Sequence, residues 1–389
     1  MLIHPIQSSD RYPIGSIIEA YAPPNDDWLL CNGQILAQID YLNLFNMMAD
    51  PHPIFEQWES RDTGMEYTGI QQVVYGNSLW VGCCYDGYMV YSSDGDTWTQ
   101  VSLATYGDDF TGIAYDGTTF VSVPDYSTPI TRYVTSTDGT SWTERNDFPA
   151  GIEGHAICYD GTNFYCVSYD DGVCLYSSNG TSWSSGAAMP DTTFYGCAAS
   201  PDVLVATSYS SGVLAVSTDA MTTWKFYSCP ISGPQEIYYD STDDIFVMAS
   251  NTDPVYAVSP GDDGVNWDVR HLSVVKYGNR RMNNWVNTSV YRIKKAGNYW
   301  FALGGYSNQM LFSSDLNIWN AFNCMYGEWY DAIYNSLTGY YYVYGYGDHS
   351  MRWKEVTEYN IATHFKLPKS NDLYDYHSMS GKRKYIRVK

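Results

Sequence analysis

Short words built on serine, aspartate and tryptophan recur along the chain. They read SSDGDTW at 92–98, STDGTSW at 136–142 and SSNGTSW at 177–183, and a longer form, STDAMTTW, follows at 217–224. A carboxylate at a fixed place in each word has two uses: acid/base chemistry, or acceptance of hydrogen bonds from backbone amides in a tight turn. Asn179 replaces the aspartate in the third copy, and asparagine can cap a turn but cannot act as a general acid or base. The repeated aspartates are therefore predicted to be structural.

Tryptophan ends each of these words and marks a longer repeat. Residues 112–142 and 154–183 share one order: an apolar strand ending in a YDG turn, a second strand, a variable loop, a third strand and a tryptophan-led fourth strand. Four strands and three tight turns in about 41 residues indicate a blade of a β-propeller, so the fold is expected to be all-β. The positions predicted to be structural are Asp94, Trp98, Asp138, Trp142, Trp183, Asp219, Trp224, Trp267, Asp315 and Trp319.

The repeated word resembles the Asp-box (BNR) repeat, with Met221 at the usual glycine of STDAMTTW. A last set of inner strands at 330–356 lacks the tryptophan-led fourth strand. Residues 53–60 are predicted to supply that strand from the other end of the chain and to place Trp58 between blades seven and one. Pairing the two ends closes a seven-bladed ring of four-stranded blades and leaves no exposed edge.

The overall charge limits the partners. The formal net charge is -22 and the pI is near 4.4, which opposes binding to nucleic acid or to an anionic membrane, because both reward basic patches. The cysteines show no CxxC or Cys/His spacing, which favours buried thiols over disulfides or metal ligands. No metal or cofactor is predicted, because Asp243-Asp244 and Asp262-Asp263 lack the alternating acidic loop of a calcium site.

The segments outside the ring carry different motifs. They read PIGSI at 13–17, WLLCNG at 28–33, a helix-like YLNLF at 41–45 and, near the other end, HFKLP at 364–368. In this order the motifs resemble the bacteriophage tail-collar domain of tail fibres. That family runs from the helix to its F-x-LP strand in a short span, whereas here about 310 residues intervene. The propeller is therefore predicted to be inserted in a collar domain.

This organisation predicts an attachment arm at 1–12, a first collar part at 13–52 with one short helix, a propeller at 53–357 and a second collar part at 358–389. The chain would join the ring at a fourth strand and leave it after a third, where other blades carry the serine word. The collar is therefore expected on that side of the disc, with the opposite face free. The resemblance implies a homotrimer in the virion, with other tail or fibre proteins as partners.

The opposite face is predicted to bind a ligand. The repeats place tyrosines where the loop between second and third strands begins, and the connections between blades add further aromatic and arginine residues. Aromatic rings beside hydrogen-bond donors suit sugars, whose C–H faces stack on π systems. The alternative is that these tyrosines only pack within each module. The candidates are Tyr85, Tyr126, Arg132, Tyr169, Tyr209, Arg280, Arg281, Trp285, Tyr306, Trp329 and Tyr346.

Asp-box propellers include sialidases, an activity that, as the resemblance implies, needs an arginine cluster, a Tyr/Glu pair and an acid. None of the arginines lies in the Arg-Ile-Pro word of those enzymes. The expected function is a tail appendage protein that binds a host-surface glycan without catalysis. The alternatives left open are a structural spacer or docking protein in the tail, a glycan-cleaving depolymerase, and a decoration that adheres loosely to environmental glycans.

Overall fold

A computed structural model of the chain describes part of its length. The described residues are 17–20, 28–30, 35–37, 59–63, 69–103, 109–124, 132–149, 154–168, 172–189, 194–209, 211–272, 275–277, 280–281, 290–305, 307–346, 349–354, 364–366 and 383–387. The chain divides into two compact units. The smaller contains Met1–Gln57, Lys276–Arg280 and Lys354–Lys389, and the larger contains Trp58–Val275 and Arg281–Trp353.

The larger unit is a propeller, and its strands follow one another in sets of four. Four strands precede the first blade. Three belong to the smaller unit, β1 (Ile17–Ala20), β2 (Trp28–Leu30) and β3 (Ile35–Ala37), and the fourth, β4 (Glu59–Asp62), belongs to the propeller. Blade one contains β5 (Ile70–Gly76), β6 (Leu79–Cys84), β7 (Tyr88–Ser92) and β8 (Thr99–Ser102). Blade two contains β9 (Phe110–Tyr115), β10 (Phe120–Pro124), β11 (Tyr133–Ser136) and β12 (Thr143–Arg145). Blade three contains β13 (Gly154–Tyr159), β14 (Phe164–Ser168), β15 (Cys174–Ser177) and β16 (Ser184–Ser185).

The second half of the ring continues the same order. Blade four contains β17 (Phe194–Ala199), β18 (Leu204–Ser208), β19 (Val213–Ser217) and β20 (Lys225–Ser228). Blade five contains β21 (Pro234–Asp240), β22 (Ile245–Ser250), β23 (Val255–Pro260) and β24 (Asp268–His271), after which β25 (Val275–Tyr277) pairs with β26 (Arg280–Arg281). Blade six contains β27 (Val290–Ala296), β28 (Tyr299–Gly304), β29 (Ser307–Ser313) and β30 (Asn320–Gly327). Blade seven begins with β31 (Trp329–Asn335), β32 (Tyr340–Gly345) and β33 (His349–Lys354).

Blade seven is completed by a strand from the opposite end of the ring sequence. β33 pairs antiparallel with β4, with Arg352 opposite Glu59 and His349 opposite Asp62. The sheet order is therefore β31-β32-β33-β4, like the consecutive order of the other six blades. The prediction of a seven-bladed propeller with four-stranded antiparallel blades is confirmed, and the closing strand occupies 59–62. The predicted packing of Trp58 concerns a side chain outside the described residues.

The smaller unit also joins both ends of the chain. β35 (Arg383–Arg387) lies between β1 and β2 in one sheet, and β34 (His364–Lys366) pairs with β3 in another. Segments on either side of the propeller thus form shared sheets. The helix predicted near 41–45 lies outside the described residues, and the residues that are described contain no helix.

Each blade packs on the one before it through a large aromatic side chain. The Trp98 ring lies 5.3 Å from Tyr344 of blade seven, and the Trp319 ring lies 5.6 Å from Tyr256 of blade five. Between blades six and seven, Trp353 of β33 lies 5.7 Å from Phe301. These contacts bury an apolar face on both sides of every sheet, which is why the successive blades require one another.

The turn between third and fourth strands, here called the Ser-x-Asp turn, is held by its own side chains. In blade two, Asp138 Oδ1 accepts hydrogen bonds from the amides of Thr140 and Ser141, each at 2.7 Å. Ser136 Oγ accepts from the amide of Gly139 at 2.8 Å. These hydrogen bonds, with that from the Ser141 amide as the largest effect and that from Thr140 as the next, hold the pKa of Asp138 well below its usual range. The aspartate thus works as a turn acceptor, the use that the repeat predicts.

Most of the described cysteines are buried in the sheets. Cys83, Cys84, Cys166, Cys174 and Cys197 are buried and unbridged. Cys158 and Cys229 are half-buried and also free thiols. Burial raises the pKa of Cys83 to about 12, so its thiol stays protonated at neutral pH. The expectation of buried thiols is confirmed for the five buried residues.

Candidate ligand-binding site

The innermost strand of every blade is irregular near its start. In blade one Ile70 faces Cys84 and Gln72 faces Cys83, so Gln71 has no residue opposite. A shift of register follows the first inner-strand residue in the other six blades, and in blade five it extends over Gln235 and Glu236. A bulge of this kind re-aims the extra side chain. The bulged residues, here called the mouth ring, are Gln71, Thr111, His155, Tyr195, Gln235, Tyr291 and Tyr330.

All seven mouth-ring residues line one cavity of about 260 Å³. Tyr85, from the loop between second and third strands, and Glu328, from the connection into blade seven, also line it. Neighbouring strands are antiparallel, so this loop and the start of the inner strand share one end of the blade. The Ser-x-Asp turns lie at the other end. The cavity is therefore on the face that the sequence predicts for ligand binding.

The residue after each mouth-ring position contacts the inner strand of the next blade. Gln72 Oε1 accepts from the amide of Ile113 at 3.0 Å, and Asp331 Oδ2 accepts from the amide of Val73 at 2.6 Å. Gly196 instead brings two backbones together, because a Cβ there would lie 3.1 Å from Glu236 Cα. The floor of the cavity therefore consists of contacts between blades.

Arg292 forms more of these hydrogen bonds between blades than Gln72 or Asp331 does. Its guanidinium is bound by both carboxylate oxygens of Glu236, and its Nη1 donates to the carbonyls of Gln71 at 3.1 Å and Tyr330 at 3.0 Å. Burial opposes its charged form, but Glu236 and then Asp331 outweigh that effect and raise the pKa of Arg292. Only 7% of the side chain is exposed. This arginine connects blades five, six, seven and one, and four of its five N–H donors are used within the protein.

Lys294 is used in a similar way deeper in the channel. Its Nζ lies 2.7 Å from Asp331 Oδ1 and donates to the carbonyl of Val73 at 3.3 Å. Burial lowers the pKa of Lys294, and the neighbouring Asp331 opposes that shift. Asp331 is fully buried and also lies 3.5 Å from Arg292. The charges therefore balance one another inside the protein.

Glu328 and Tyr330 form a hydrogen-bonded pair at the edge of the cavity. The Tyr330 hydroxyl donates to Glu328 Oε2. Burial, and after it this hydrogen bond, raises the pKa of Tyr330 above its ordinary value. Tyr330 is therefore a neutral phenol at neutral pH, with Glu328 holding its proton.

Gln71 is more buried than the other amides of the cavity, Gln72 and Gln235. Gln72 Oε1 and Gln235 Oε1 each accept a hydrogen bond from the protein, the second from Asn251 Nδ2 at 3.0 Å. Gln71 is 7% exposed, and its Nε2 has no hydrogen-bond partner. A buried donor without a partner is costly and requires an explanation. A ligand in the cavity is one.

Two aromatic groups flank the cavity. On blades three and four, the His155 ring lies 4.9 Å from Tyr195, which lies 5.2 Å from Tyr209. On blades seven and one, Tyr85 lies 6.0 Å from Tyr330 and 6.1 Å from Tyr346. Tyr209 and Tyr346 are 37% and 52% exposed, so their rings can be reached from solvent.

The predicted binding residues have different fates. Tyr85 lines the cavity, while Tyr209 and Tyr346 extend its aromatic groups. Trp329 is a correction: it is the first residue of β31, 1% exposed, and cannot stack on a ligand. Arg132 is half-buried and is not among the residues that line the cavity. The candidates outside the described residues, or described only by their backbone, are Tyr126, Tyr169, Trp285, Tyr306, Arg280 and Arg281.

Most of the mouth ring escapes sequence reasoning. No single residue type occurs at all seven positions, so a search for identical residues in the repeats does not reveal them. A weaker signal exists, because all seven are polar or aromatic and follow the first residue of an inner strand. Where this structure describes the chain, no group of three or more His, Cys, Asp or Glu residues is arranged to hold a metal ion. A helix long and apolar enough to span a membrane is likewise not found among those residues.

The fold and the cavity define a seven-bladed β-propeller with a polar and aromatic mouth at one end of its channel. The family described as the DUF6242 beta propeller domain matches residues 107–315, more than half of the chain, and the chain belongs to this family. No curated protein sequence matches the chain.

Several solved structures share the fold. YCF48 bound to D1 peptide is 16% identical, covers 79% of this chain and 98% of its own, and gives a TM-score of 0.59. YCF48 from Cyanidioschyzon merolae is 12% identical over 77% of this chain and 99% of its own, with a TM-score of 0.59. A catalytically inactive virginiamycin B lyase from Staphylococcus aureus with quinupristin is 10% identical over 78% and 100%, with a TM-score of 0.63. At these identities the similarity concerns the fold alone.

Proposed function

We propose that this propeller is a non-catalytic binding module and that its ligand, a glycan, binds at the mouth of the channel. The observation that carries the proposal is the mouth ring. All seven blades turn a bulged side chain into one cavity, and one of those side chains, Gln71, keeps a buried donor without a partner. Ring closure alone does not require either feature.

The chemistry of the cavity suits a sugar. Tyr85, Tyr195 and Tyr291 offer ring surfaces, and amide and carboxylate groups between them offer donors and acceptors. The volume of about 260 Å³ is slightly below the ~300–1,000 Å³ range of drug-sized ligands, which fits a single sugar unit of a longer chain. Tyr209 and Tyr346 would then contact the neighbouring units.

Catalysis has little support in the same groups. A glycoside hydrolase uses two carboxyl groups that flank the bond to be cleaved. Here Glu236 is bound by Arg292, and Glu328 accepts from Tyr330, whose pKa is raised. Tyr330 and Glu328 form a Tyr/Glu pair, but a sialidase-like activity would also need an arginine cluster, and Arg292 is the only arginine among the described lining residues.

The proposed setting is a phage virion, as a homotrimeric tail appendage that binds a host-surface glycan. It rests on the tail-collar motifs of the flanking segments and on the Asp-box resemblance of the Ser-x-Asp turns. The pairing of β1, β2 and β3 with strands beyond the propeller is compatible with a collar domain that receives an insertion. Tail or fibre proteins would be its partners.

The test is binding of the purified chain to a panel of bacterial surface polysaccharides, with sugar release followed in parallel. We expect binding without release, and Tyr209→Ala should weaken it about 3–10-fold, the value of one aromatic stacking contact. Tyr176→Ala is the matched control, because Tyr176 is also 37% exposed but lies on the third strand of blade three. Its binding should be unchanged.

Other outcomes would favour the alternatives. Release of sugar would replace the proposal with a depolymerase. Binding to tail proteins but to no polysaccharide would favour a spacer or docking protein. Equal loss in the Tyr209 and Tyr176 variants would show that the mouth is not the binding site, and uniformly weak binding to unrelated glycans would favour a loosely adhering decoration.

A further inference from the structure

We infer that the cavity takes an uncharged sugar unit, that Gln71 Nε2 donates to an acceptor oxygen of this unit, and that sugars carrying a carboxylate are rejected. The inference rests on the proposed glycan-binding function and specifies its ligand class. Three properties of the cavity support it: Arg292 is already bound by protein groups, carboxylates line the wall, and the Gln71 amide nitrogen has no partner.

The cation of the cavity is already occupied. Arg292 is the only lysine or arginine among the described lining residues. Glu236 binds its Nε and Nη2, and the carbonyls of Gln71 and Tyr330 accept from its Nη1. Lys294, the next cation in the strand, is paired with Asp331. A carboxylate on a ligand could not form two parallel hydrogen bonds with the Arg292 guanidinium without displacing Glu236 or one of the two carbonyls.

Two carboxylates of the protein line the same space. Glu328 and Glu236 both contribute to the wall, and the Glu236 side chain is 32% exposed. Glu236 is paired with Arg292, so the charge left on the wall is that of Glu328, and a ligand carboxylate near it meets like charge, which disfavours its ionised form. The net charge of -22 adds repulsion at longer range. An uncharged sugar avoids both effects, since its hydroxyls can donate to the carboxylates.

The Gln71 amide supplies the complementary donor. It is 7% exposed, lines the cavity, and is unpartnered at Nε2. The backbone carbonyl of Gln71 accepts a hydrogen bond from Arg292 Nη1, which holds this part of β5 beside blades six and seven. A small rotation of the side chain would turn Nε2, which is shielded from solvent here, towards a hydroxyl, ring or acetamido oxygen that satisfies the amide without any charge. An anion is not needed.

The experiment uses isothermal titration calorimetry of the full chain with two matched probes: a neutral hexose oligosaccharide of the polysaccharide that binds, and the corresponding uronic-acid oligosaccharide. The neutral probe should bind at least about tenfold more tightly. Gln71→Leu should weaken the neutral probe about tenfold, the loss of one hydrogen bond to a buried donor. Gln100→Leu, on the exposed fourth strand of blade one, is the matched control and should leave affinity unchanged.

Stability separates a ligand-binding role of Gln71 from a structural one. Replacing an unpaired buried donor with an apolar group removes a desolvation cost, so Gln71→Leu should keep or raise the melting temperature while affinity falls. A lower melting temperature with unchanged affinity would overturn the inference. Tighter binding of the uronic-acid probe would also overturn it and leave the glycan-binding function standing. Failure of both probes, together with every polysaccharide of the panel, would overturn the function itself.

Discussion

Two arcs of the ring use different residue types for the contact between the inner strands of successive blades. The position concerned is the residue after each mouth-ring residue, which faces the inner strand of the next blade. In one arc, blades two to four, it is small: Gly112, Ala156 and Gly196. In the other arc, from blade five through seven to blade one, it is polar or charged: Glu236, Arg292, Asp331 and Gln72.

The close-packed arc depends on backbone approach. A Cβ on Gly196 would lie 3.1 Å from Ile237 N, and one on Gly112 would lie 3.3 Å from Ile157 N. The polar arc depends on side chains that span the gap, as Asp331 does to the amide of Val73. An apolar contact depends on area alone, whereas a hydrogen bond depends on register.

The polar arc contains the seam where the ring closes. Blade seven obtains β4 from the other end of the ring sequence, and no covalent turn holds β33 and β4 in register. The family match ends at residue 315, before blade seven begins. We expect the hydrogen bonds of this arc to fix the position of the closing blade, and the following predictions test that difference.

The largest effect is expected at Asp331. Asp331→Ala would leave Lys294 buried without its carboxylate and the amide of Val73 without its acceptor. Loss of one partner of a buried pair costs about 3–5 kcal/mol of unfolding free energy. Urea denaturation measures it. Asp331→Asn, which keeps an acceptor but not the charge, should cost less, and a loss below about 1 kcal/mol for both variants would show that the polar arc does not hold the seam.

A smaller effect is expected in the close-packed arc. Gly196→Ala places a methyl group 3.1 Å from backbone atoms of blade five and should cost about 1–3 kcal/mol, as overpacked cores do. Ala156→Gly at the equivalent position of blade three is the reverse control, with a cost of about 0.5–1 kcal/mol from chain entropy. Equal losses in the two variants, measured by the same denaturation, would contradict the close approach.

The sequence predicts the blades well because their signal is repeated. Most copies carry the same turn aspartate and tryptophan, so a deviation in one, such as Asn179 or Met221, does not hide the pattern. Met221 adopts a φ of 68° and its amide donates to Ser217 Oγ, the role that glycine has in the turns of blades one to three. Even the closing strand is predictable, because the missing fourth strand in blade seven must come from elsewhere.

The mouth is predicted less well, for two physical reasons. A bulge shifts one residue out of the alternation of the strand, so the side-chain pattern of β13 or β17 does not identify His155 or Tyr195 as facing the channel. Strand ends are also uncertain by a residue or two. Trp329 was therefore assigned to an exposed connection, although it begins β31 and is buried.

A still smaller effect is expected on the outer edge of the seam. Asp96 accepts from Arg61 and Arg352 at 2.8 Å each, and these pairs connect the turn of blade one with β4 and β33. The arginines are partly exposed, so Asp96→Asn should cost only about 1 kcal/mol or less, and less still at high salt. Asp268→Asn, which breaks the exposed pair with Arg270 in blade five, should have no measurable effect. Equal effects would show that the seam has no special dependence on charge.

The smallest effect at neutral pH is expected in the Ser-x-Asp turns, which both arcs share. The folded pKa of Asp138 is held low by the amides of Ser141 and Thr140, so its stabilising effect is present above the unfolded value of about 3.9 and is lost as the pH falls towards the lower folded value. Asp138→Asn should leave the melting temperature at pH 7 nearly unchanged, because Asn179 already accepts from Thr181 and Ser182 at 2.9 and 2.8 Å. Below pH 4 this variant should lose less stability than the parent chain. If both melt with the same pH dependence, the acid sensitivity of the ring arises from the carboxylates of the polar arc and not from its turns.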